Sequence, residues 1–234
     1  MPQLETDADA IRGASKKDAT LSDRVFQQLQ DDIVLGRIEP GAKLGEAELA
    51  NRFGISRGPL REAIRRLEAR KLLEHVPHVG CRVTQLSLSE LVEVYQVREL
   101  LEGEAARLAA TAMTDEEIAG LAQVLQQHET QQDLRADKAY FQDEGDLDFH
   151  YRIIQGSHNK TLANLLIGEL YYLVRMYRYR ASRTSHRPQM ALAEHRAILD
   201  AIQSRDGEMA ALLMRRHLAR ARNNLHDTTQ EEKA

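Results

Sequence analysis

The chain has 234 residues, of which 42% are hydrophobic and 29% charged, values typical of a globular protein long enough for two small domains. It has no run of eighteen apolar residues and no apolar segment of a secretory signal near its start, which excludes a predicted membrane helix and leads us to expect a cytoplasmic protein. The net charge of −4 argues against indiscriminate nucleic-acid binding, and the single cysteine excludes a disulfide framework, so that any metal site must use histidine and carboxylate ligands.

Composition and periodicity predict two ordered regions between polar tails. Residues 1–20 and 228–234 lack apolar periodicity and are predicted to be disordered tails. Residues 21–84 mix helix and strand signals, residues 85–88 are predicted as a linker, and residues 89–227 carry helix signals only. We therefore predict a mainly α protein in which a small domain of helices and strands precedes an all-helical bundle.

The first region has the order of a winged helix-turn-helix. A first helix is predicted in "LSDRVFQQLQDDIVLGRI", with Ser22 as its N-cap, after which "EPGAKL" is predicted as a turn. A short helix in "GEAELANRFG" ends at Gly54, and Ser56 begins the next helix in "ISRGPLREAIRRLEARKL". Two β-prone runs in "LLEHVPHVGCRVTQL" then flank a turn, which predicts a hairpin wing.

The second predicted helix of this pair carries a basic stripe. Residues 57–71 contain six arginine or lysine residues and two glutamates, a local net charge of +4. Arg57, Arg61 and Arg65 lie within about 80° of one another around the helix axis, away from its apolar face. Guanidinium groups match guanine or phosphate, so the row suits a recognition helix, although a solvated, salt-bridged face is the plainer alternative.

The wing and the basic helix together resemble a known family. The stretch "LGEAELANRFGISRGPLREAIRRLEARKLLEHVPHVGCRV" is similar to the DNA-binding domain of GntR-type bacterial transcriptional regulators, through its "SRGPLREAIRRL" segment. The resemblance implies that Arg57 and Arg61 contact operator bases and phosphates, alongside Ser56. Ala47 departs from members that carry a further DNA-contacting arginine there. In the wing, His78 and Gly80 are candidates for contact with the minor groove or backbone, and for His78 a plain turn residue is the alternative.

The second region is predicted to contain six helices. The boundaries between these helices are indicated by a capping box at Ser87, by Thr114, by Pro188 and by the turn "SRDG". The predicted helices span about 88–112, 115–133, 138–156, 160–184, 189–204 and 207–226.

Several of these helices carry ionisable residues on their apolar faces. If 138–156 is one helix, Asp146 and His150 lie amid its apolar face and Asp148 faces water, with Asp143 as the competing acid if the helix begins early. His195 and His217 lie at the centre of apolar faces in the last two helices. One aspartate and three neutral imidazoles suit Zn²⁺, Ni²⁺ or Mn²⁺, which would offset the cost of burying a carboxylate.

The alternative is that each histidine is a satisfied core residue. His128 is interpreted in that way, because it lies on an apolar face without a nearby acid.

The second region is similar to the ligand-binding domain of the FadR subfamily. The matching motifs are "DLDFH" at Asp146 to His150, the later Asn159, "EHRAILDAI" around His195, and His217. The resemblance implies a metal held by Asp146, His150, His195 and His217, and an effector that is a small carboxylate. Six helices instead of seven place the domain nearer the VanR-like branch of FCD-type domains.

Two arginines are candidates for binding that carboxylate, together with Asn159. Arg175 lies in a segment that is apolar almost all round, and Arg98 lies at the centre of an apolar face. For Arg98 the alternative is a simple pair with Glu102, four residues later.

These features predict a homodimeric, ligand-responsive transcriptional repressor that binds a palindromic operator and a small carboxylate effector at a metal site. Two alternatives are a regulator with an acyl-CoA effector and no metal, and an enzyme that uses the metal to activate water for hydrolysis.

Overall fold

A computed structural model describes residues 20–130, 148–184 and 188–231. Backbone contacts divide the chain into two units: one runs through Gln85 and includes Glu169–Tyr177, and the other comprises Leu86–Gly168 and the chain from Arg178 onward. Within the described part of the chain, no helix is both long and apolar enough to cross a membrane. The predicted mainly α class, with a small N-terminal sheet and a helical C-terminal domain, is confirmed.

Helix α1, Leu21–Val34, begins at a capping box whose N-cap is Thr20, two residues before the predicted N-cap Ser22. Thr20 accepts a hydrogen bond from the Asp23 N–H, and the Asp23 carboxylate accepts one from the Thr20 N–H. Ser22, which was predicted as the N-cap, lies inside the first turn and is buried. The prediction was wrong because the reciprocal Thr20–Asp23 pair satisfies two backbone donors.

Two short helices and a tight turn form the predicted helix-turn-helix. Helix α2 spans Glu46–Phe53 and helix α3 spans Arg57–Ala69. The chain leaves α2 through Gly54, whose φ of 61° lies in the left-handed region that glycine adopts without strain. The predicted apolar face of α3 is buried, as its four members Leu60, Ala63, Ile64 and Leu67 are at most 5% exposed.

The predicted wing is a hairpin within a three-stranded antiparallel sheet. Strands β2, Leu73–Val76, and β3, Gly80–Val83, pair with Val76 opposite Gly80. Strand β1, Lys43–Leu44, adds to the other side of β3, in a segment that the sequence analysis read only as a turn. A segment of two residues is too short to show the alternation of polar and apolar side chains that indicates a strand. The extended conformation of β1 therefore depends on its pairing with β3.

From Leu88 onward, every secondary-structure element of the described residues is helical, and these helices form the second unit except for Glu169–Tyr177. Helix α4 has the predicted bounds, and the predicted helix 160–184 is interrupted by a π-helical segment. The elements are α4 Leu88–Ala112, α5 Asp115–His128, α6 Phe149–Gly156, α7 Lys160–Ala163, the π-helical segment Asn164–Leu170, α8 Tyr171–Thr184, α9 Pro188–Gln203 and α10 Gly207–Glu231.

Helices α4 and α10 pack closely along one another because α4 presents small residues. Ala105, Ala106, Ala109 and Ala110 are all fully buried in the core of this unit. A Cβ atom added at Gly103 would lie 2.7 Å from the Cγ of Arg215 on α10. This close approach brings the interior side chains of α4 within reach of those on α10.

The start of α6 contradicts the predicted continuous helix 138–156. Asp148 is the N-cap, with extended backbone at φ −98° and ψ 123°, so the predicted helix does not continue through residue 148. Asp146 and Asp143 lie outside the described residues.

Asp148 does not face water as predicted, since it is 0% exposed. Its carboxylate accepts hydrogen bonds from the backbone N–H groups of His150 and Tyr151 and pairs with Arg178 at 3.0 Å. These partners offset the cost of burying its charge, which a helical wheel cannot represent.

Candidate functional site

Three histidines from three helices converge inside the second unit. His150 lies on α6, His195 on α9 and His217 on α10. The Nε2 atom of His195 lies 3.2 Å from that of His150 and 3.3 Å from that of His217. The three side chains are 3%, 2% and 8% exposed, respectively. Three of the four predicted metal ligands therefore meet at one buried point.

Packing holds the central ring of this cluster in place. The ring of Phe149 stacks on that of His195, with 4.6 Å between the ring centroids. The ring of His195 in turn meets that of His150 edge-on at 5.1 Å. An aromatic face thus fixes the plane of the His195 imidazole.

Two glutamates contact the outer ring nitrogens of the cluster. His150 Nδ1 lies 2.7 Å from Glu102 Oε2 on α4, and His217 Nδ1 lies 2.7 Å from Glu194 Oε2 on α9. An ionised carboxylate accepts a hydrogen bond from Nδ1–H, so the ring proton stays on Nδ1 and the Nε2 lone pairs of both rings point toward His195.

Sequence reasoning gave neither glutamate a role in the cluster. For Glu102 the available signal was its spacing to Arg98, and for Glu194 its position directly before His195.

Burial keeps the imidazoles of His195 and His217 neutral. It lowers the pKa of His195 well below 6.5, and the neighbouring histidines act in the same direction. Burial also lowers the pKa of His217 to about 4, against the opposing effect of Glu194. For Glu102 burial alone would raise the pKa, but Arg98 and His150 hold it well below its usual range. At neutral pH, the cluster therefore combines the neutral imidazoles of His195 and His217 with the ionised carboxylate of Glu102.

This donor set fits a divalent transition metal. The three histidines offer ligand atoms that all lie within 4.8 Å of one another. Neutral imidazole nitrogens are ligands that Zn²⁺, Ni²⁺ and similar ions prefer, and ligating histidines typically donate their second ring N–H to a carboxylate. The fourth predicted ligand, Asp146, lies outside the described residues.

Two of the predicted effector-binding residues, Arg98 and Asn159, have hydrogen-bond partners within the second unit. Arg98 is buried and its Nε donates to Glu102 at 2.7 Å, which is the alternative interpretation of its spacing. Asn159 caps α7 by accepting from the Leu162 N–H, and it lines an open surface cavity beside His158 and Lys160. Arg175 is buried at 5% exposure.

His128, which was interpreted as a core residue, is buried on α5.

A second candidate site lies on the first unit, where α3 presents its basic row. Ser56, Arg57, Arg61 and Arg65 are all exposed. Ser56 occupies the N-cap position of α3 without a side-chain capping hydrogen bond. Arg61 Nε donates to Glu46 on α2 at 2.9 Å, an ion pair that is itself exposed.

Two other arginines of α3 have a structural role. The guanidinium groups of Arg66 and Arg70 lie over the ring of Phe26 at 3.9 and 4.6 Å, and Arg66 pairs with Asp23 at 2.7 Å. These contacts hold α3 against α1. The arginines of the basic stripe therefore form two groups: Arg66 and Arg70 pack on α1, and the others face solvent.

The tip of the wing has a backbone suited to close approach. His78 is exposed with a φ of 63°, and Gly80 has a φ of 97°. Left-handed backbone is uncommon for residues other than glycine, although histidine is among the types that adopt it more often. The turn between β2 and β3 therefore presents the His78 side chain to solvent.

Two known protein families match this chain, one over its N-terminal part and one over its C-terminal part. Residues 21–83 match the family described as "Bacterial regulatory proteins, gntR family". Residues 93–220 match the family described as "FCD domain", and this match covers more than half of the chain.

The curated relatives are named as transcriptional regulators. The HTH-type transcriptional repressor RspR of Escherichia coli is 30% identical over 213 residues, covering 90% of this chain and 91% of that protein. A probable D-xylose utilization operon transcriptional repressor of Paenarthrobacter nicotinovorans is 35% identical over 205 residues, covering 83% and 86%. Among solved structures, E. coli McbR/YncC aligns with a TM-score of 0.68 at 23% identity over 91% of this chain and 100% of that one, a likeness of fold.

Proposed function

The chain belongs to the GntR family of bacterial regulatory proteins and carries an FCD domain, and from this premise we propose that it is a repressor whose operator binding responds to a small carboxylate. The observation that carries the proposal is the convergence of three buried histidine Nε2 atoms within the FCD domain. The family and the named relatives are DNA-binding transcriptional regulators and not enzymes. The alternative of a metal-dependent hydrolase is therefore dropped.

On the DNA side, we assign operator contacts to the exposed row of α3 and to the wing. The proposed contacts are made by Ser56, Arg57, Arg61, Arg65, His78 and Gly80. Their support is exposure: none of the four α3 residues is buried, and the Ser56 side chain makes no capping bond. Guanidinium groups at the start of a recognition helix are suited to bidentate contact with guanine and phosphate.

The chain is proposed to bind DNA as a homodimer, so that a two-fold operator matches a two-fold protein. Exposed apolar side chains on the FCD domain support self-association: Val97 and Leu100 on α4, and Met209 and Leu212 on α10.

Sedimentation equilibrium measures the mass directly. Selection from randomised duplexes is expected to return a palindrome, and a monomer bound to an asymmetric site would contradict this part of the proposal.

Operator affinity is expected to fall steeply with salt, because phosphate neutralisation by Arg57, Arg61 and Arg65 releases counterions. Fluorescence anisotropy with the selected duplex between low and physiological salt measures the slope. A flat salt dependence would remove the support for the DNA contacts.

On the effector side, His150, His195 and His217 are proposed to hold a divalent transition metal together with Asp146. When bound, the metal would offer an open coordination position to a carboxylate. We propose Arg175 and Asn159 as further effector contacts. Arg98 is instead proposed to act through Glu102, because its Nε already donates to that carboxylate.

The test is a thermal-shift screen of carboxylic acids on the metal-loaded protein, repeated with His195→Ala. A stabilising acid is expected for the wild type alone, since only a ligand that binds the folded state raises its melting temperature. Metal analysis of protein purified without a histidine tag distinguishes the alternative of an acyl-CoA effector. A metal content well below one equivalent per chain would favour that alternative.

A further inference from the structure

His150 and His217 both contact His195, and each ends a hydrogen-bonded chain of one arginine, one glutamate and one histidine. We call each such chain a relay. In the inner relay, Arg98 Nε donates to Glu102 Oε1 at 2.7 Å, and Glu102 Oε2 contacts His150 Nδ1 at 2.7 Å. In the outer relay, Arg220 Nη1 donates to Glu194 Oε1 at 2.8 Å, and Glu194 Oε2 contacts His217 Nδ1 at 2.7 Å. Both carboxylates thus use one oxygen for a cation and the other for a histidine.

The relays determine which ring nitrogen is available to a ligand. A neutral imidazole carries one proton, and a carboxylate at Nδ1 keeps that proton on Nδ1. The Nε2 lone pairs of His150 and His217 are then directed to the point where His195 Nε2 also lies. Without the two carboxylates, either ring could carry its proton on Nε2 and lose its donor atom at that point.

The two relays differ in burial. The side chains of Arg98, Glu102 and His150 are all at most 4% exposed. In the outer relay Glu194 is 10% and Arg220 57% exposed. Charge interactions are screened less in the interior, so the inner carboxylate acts more strongly on its histidine than the outer one does.

We infer that Glu102 and Glu194 are positioning residues for a divalent cation, holding His150 and His217 in the tautomer that directs Nε2 inward, and that Glu102 contributes more to the affinity. This inference rests on the proposed metal site. It adds to that site two residues that bind no metal themselves and contact its ligands from behind. The cation class is one that prefers imidazole nitrogen, such as Zn²⁺ or Co²⁺, over Mg²⁺.

The experiment compares glutamine variants of the full chain, freed of metal by a chelator and titrated with Zn²⁺ or Co²⁺ against a chelating dye. Glu102→Gln is expected to weaken binding by about 10- to 100-fold, the usual effect of removing a carboxylate behind a ligating histidine. Glu194→Gln is expected to weaken it less. Glu104→Gln on the same helix as Glu102, and Asp200→Asn on the same helix as Glu194, remove charges outside the relays and are expected to match the wild type. Mg²⁺ is expected not to compete.

A second measurement reads the tautomers themselves. In ¹⁵N-histidine-labelled, metal-free protein, the ring nitrogen shifts of His150 and His217 are expected to report protonation at Nδ1. Glu102→Gln is expected to give a tautomer mixture at His150 and leave His217 unchanged, while Glu194→Gln does the reverse. A purely structural role of the glutamates would not produce this selective change.

The outcomes separate this inference from the proposed function. Wild-type protein that binds neither Zn²⁺ nor Co²⁺ would contradict the proposed metal site. Wild-type protein that binds, with folded Glu102→Gln and Glu194→Gln variants that bind equally well and keep Nδ1 protonation, would overturn the inference alone. If Glu102→Gln does not fold, the inference is tested on Glu194→Gln alone. Unchanged Zn²⁺ affinity and unchanged Nδ1 protonation of His217 in that variant would then overturn it.

Discussion

At the scale of single residues, the arginines of α3 divide by their partners. Arg66 and Arg70 lie over Phe26 and fasten α3 to α1, whereas Arg57 and Arg65 face solvent. Arg61 is intermediate, because it faces solvent but is paired with Glu46. The α3 arginines that we propose to contact operator DNA are therefore those whose guanidinium groups do not pack on α1.

Arg61→Ala is expected to weaken operator binding by about 1–3 kcal/mol if Arg61 contacts a base. Anisotropy titration with the selected duplex measures the change in Kd. Arg107→Ala is the matched control, since Arg107 is a partly exposed arginine of the FCD domain outside the proposed interface. A loss below about 0.5 kcal/mol, comparable to an ordinary surface substitution, would instead mark Arg61 as part of a solvated face.

Glu46→Gln is expected to act in the opposite direction. It removes the partner that Arg61 must leave on binding DNA, and it removes a negative charge from the neighbourhood of the phosphates. An exposed ion pair contributes up to about 1 kcal/mol, so operator binding is expected to tighten by up to about five-fold.

The same anisotropy titration measures this effect. Glu48→Gln, on the exposed side of the same helix, controls for the loss of charge alone. Equal tightening by both variants would show that the Arg61–Glu46 pair has no specific effect.

At the scale of elements, the start of α6 decides where His150 lies. Asp148 accepts from two backbone N–H groups of the first turn and also pairs with Arg178 on α8. The cap at Asp148 directly precedes Phe149, where the helix begins, and the ion pair connects that end of α6 to α8. One buried carboxylate therefore both starts the helix and positions its histidine.

Asp148→Ala is expected to destabilise the FCD domain by about 3 kcal/mol or more, because it removes a helix cap and leaves the Arg178 guanidinium without this partner. Urea unfolding measures the loss. Asp206→Ala is the control, since Asp206 accepts from the Met209 N–H in an exposed position, and its loss is expected to cost about 1 kcal/mol. Equal losses would show that the ion pair with Arg178 contributes nothing.

At the scale of the whole molecule, the buried histidines link stability to pH. Folding lowers the pKa of His217 from 6.5 to about 4 and lowers that of His195 as well, with burial as the main cause. The unfolded chain therefore binds more protons than the folded one below about pH 6.5. The contribution of these histidines to the free energy of unfolding of the metal-free protein is therefore fully present above about pH 6.5. It decreases as the pH falls toward the pKa values that the two histidines have in the folded protein.

The melting temperature of the metal-free protein is accordingly expected to fall between pH 7 and pH 5, and His217→Gln is expected to reduce that fall. Each histidine contributes at most about 1.4 kcal/mol per pH unit. Glu102 does not add to the slope in this window, because its lowered pKa affects stability only below its ordinary value of 4.5. His75→Gln, an exposed histidine on β2, is the control. A flat profile for the wild type would contradict the burial of neutral imidazoles.

Local signals account for what the sequence predicted well. The bounds of α4, the helix-turn-helix and the hairpin wing follow from capping residues, glycine positions and apolar periodicity over short stretches. The family resemblance was confirmed over both units. The assignment of Asp148 to solvent was wrong because a helical wheel assumes a helix that has already begun.

By itself the sequence determined most of the helices and the hairpin wing, the basic row of α3 and the three histidines on apolar faces, because capping and spacing along the chain are local properties. Only the tertiary structure decided that these histidines meet, and that Glu102 and Glu194 stand behind two of them. Those contacts join residues 48 and 23 positions apart in the chain. Periodicity places a side chain on a face of its own helix, but which partner it meets depends on how separate helices pack.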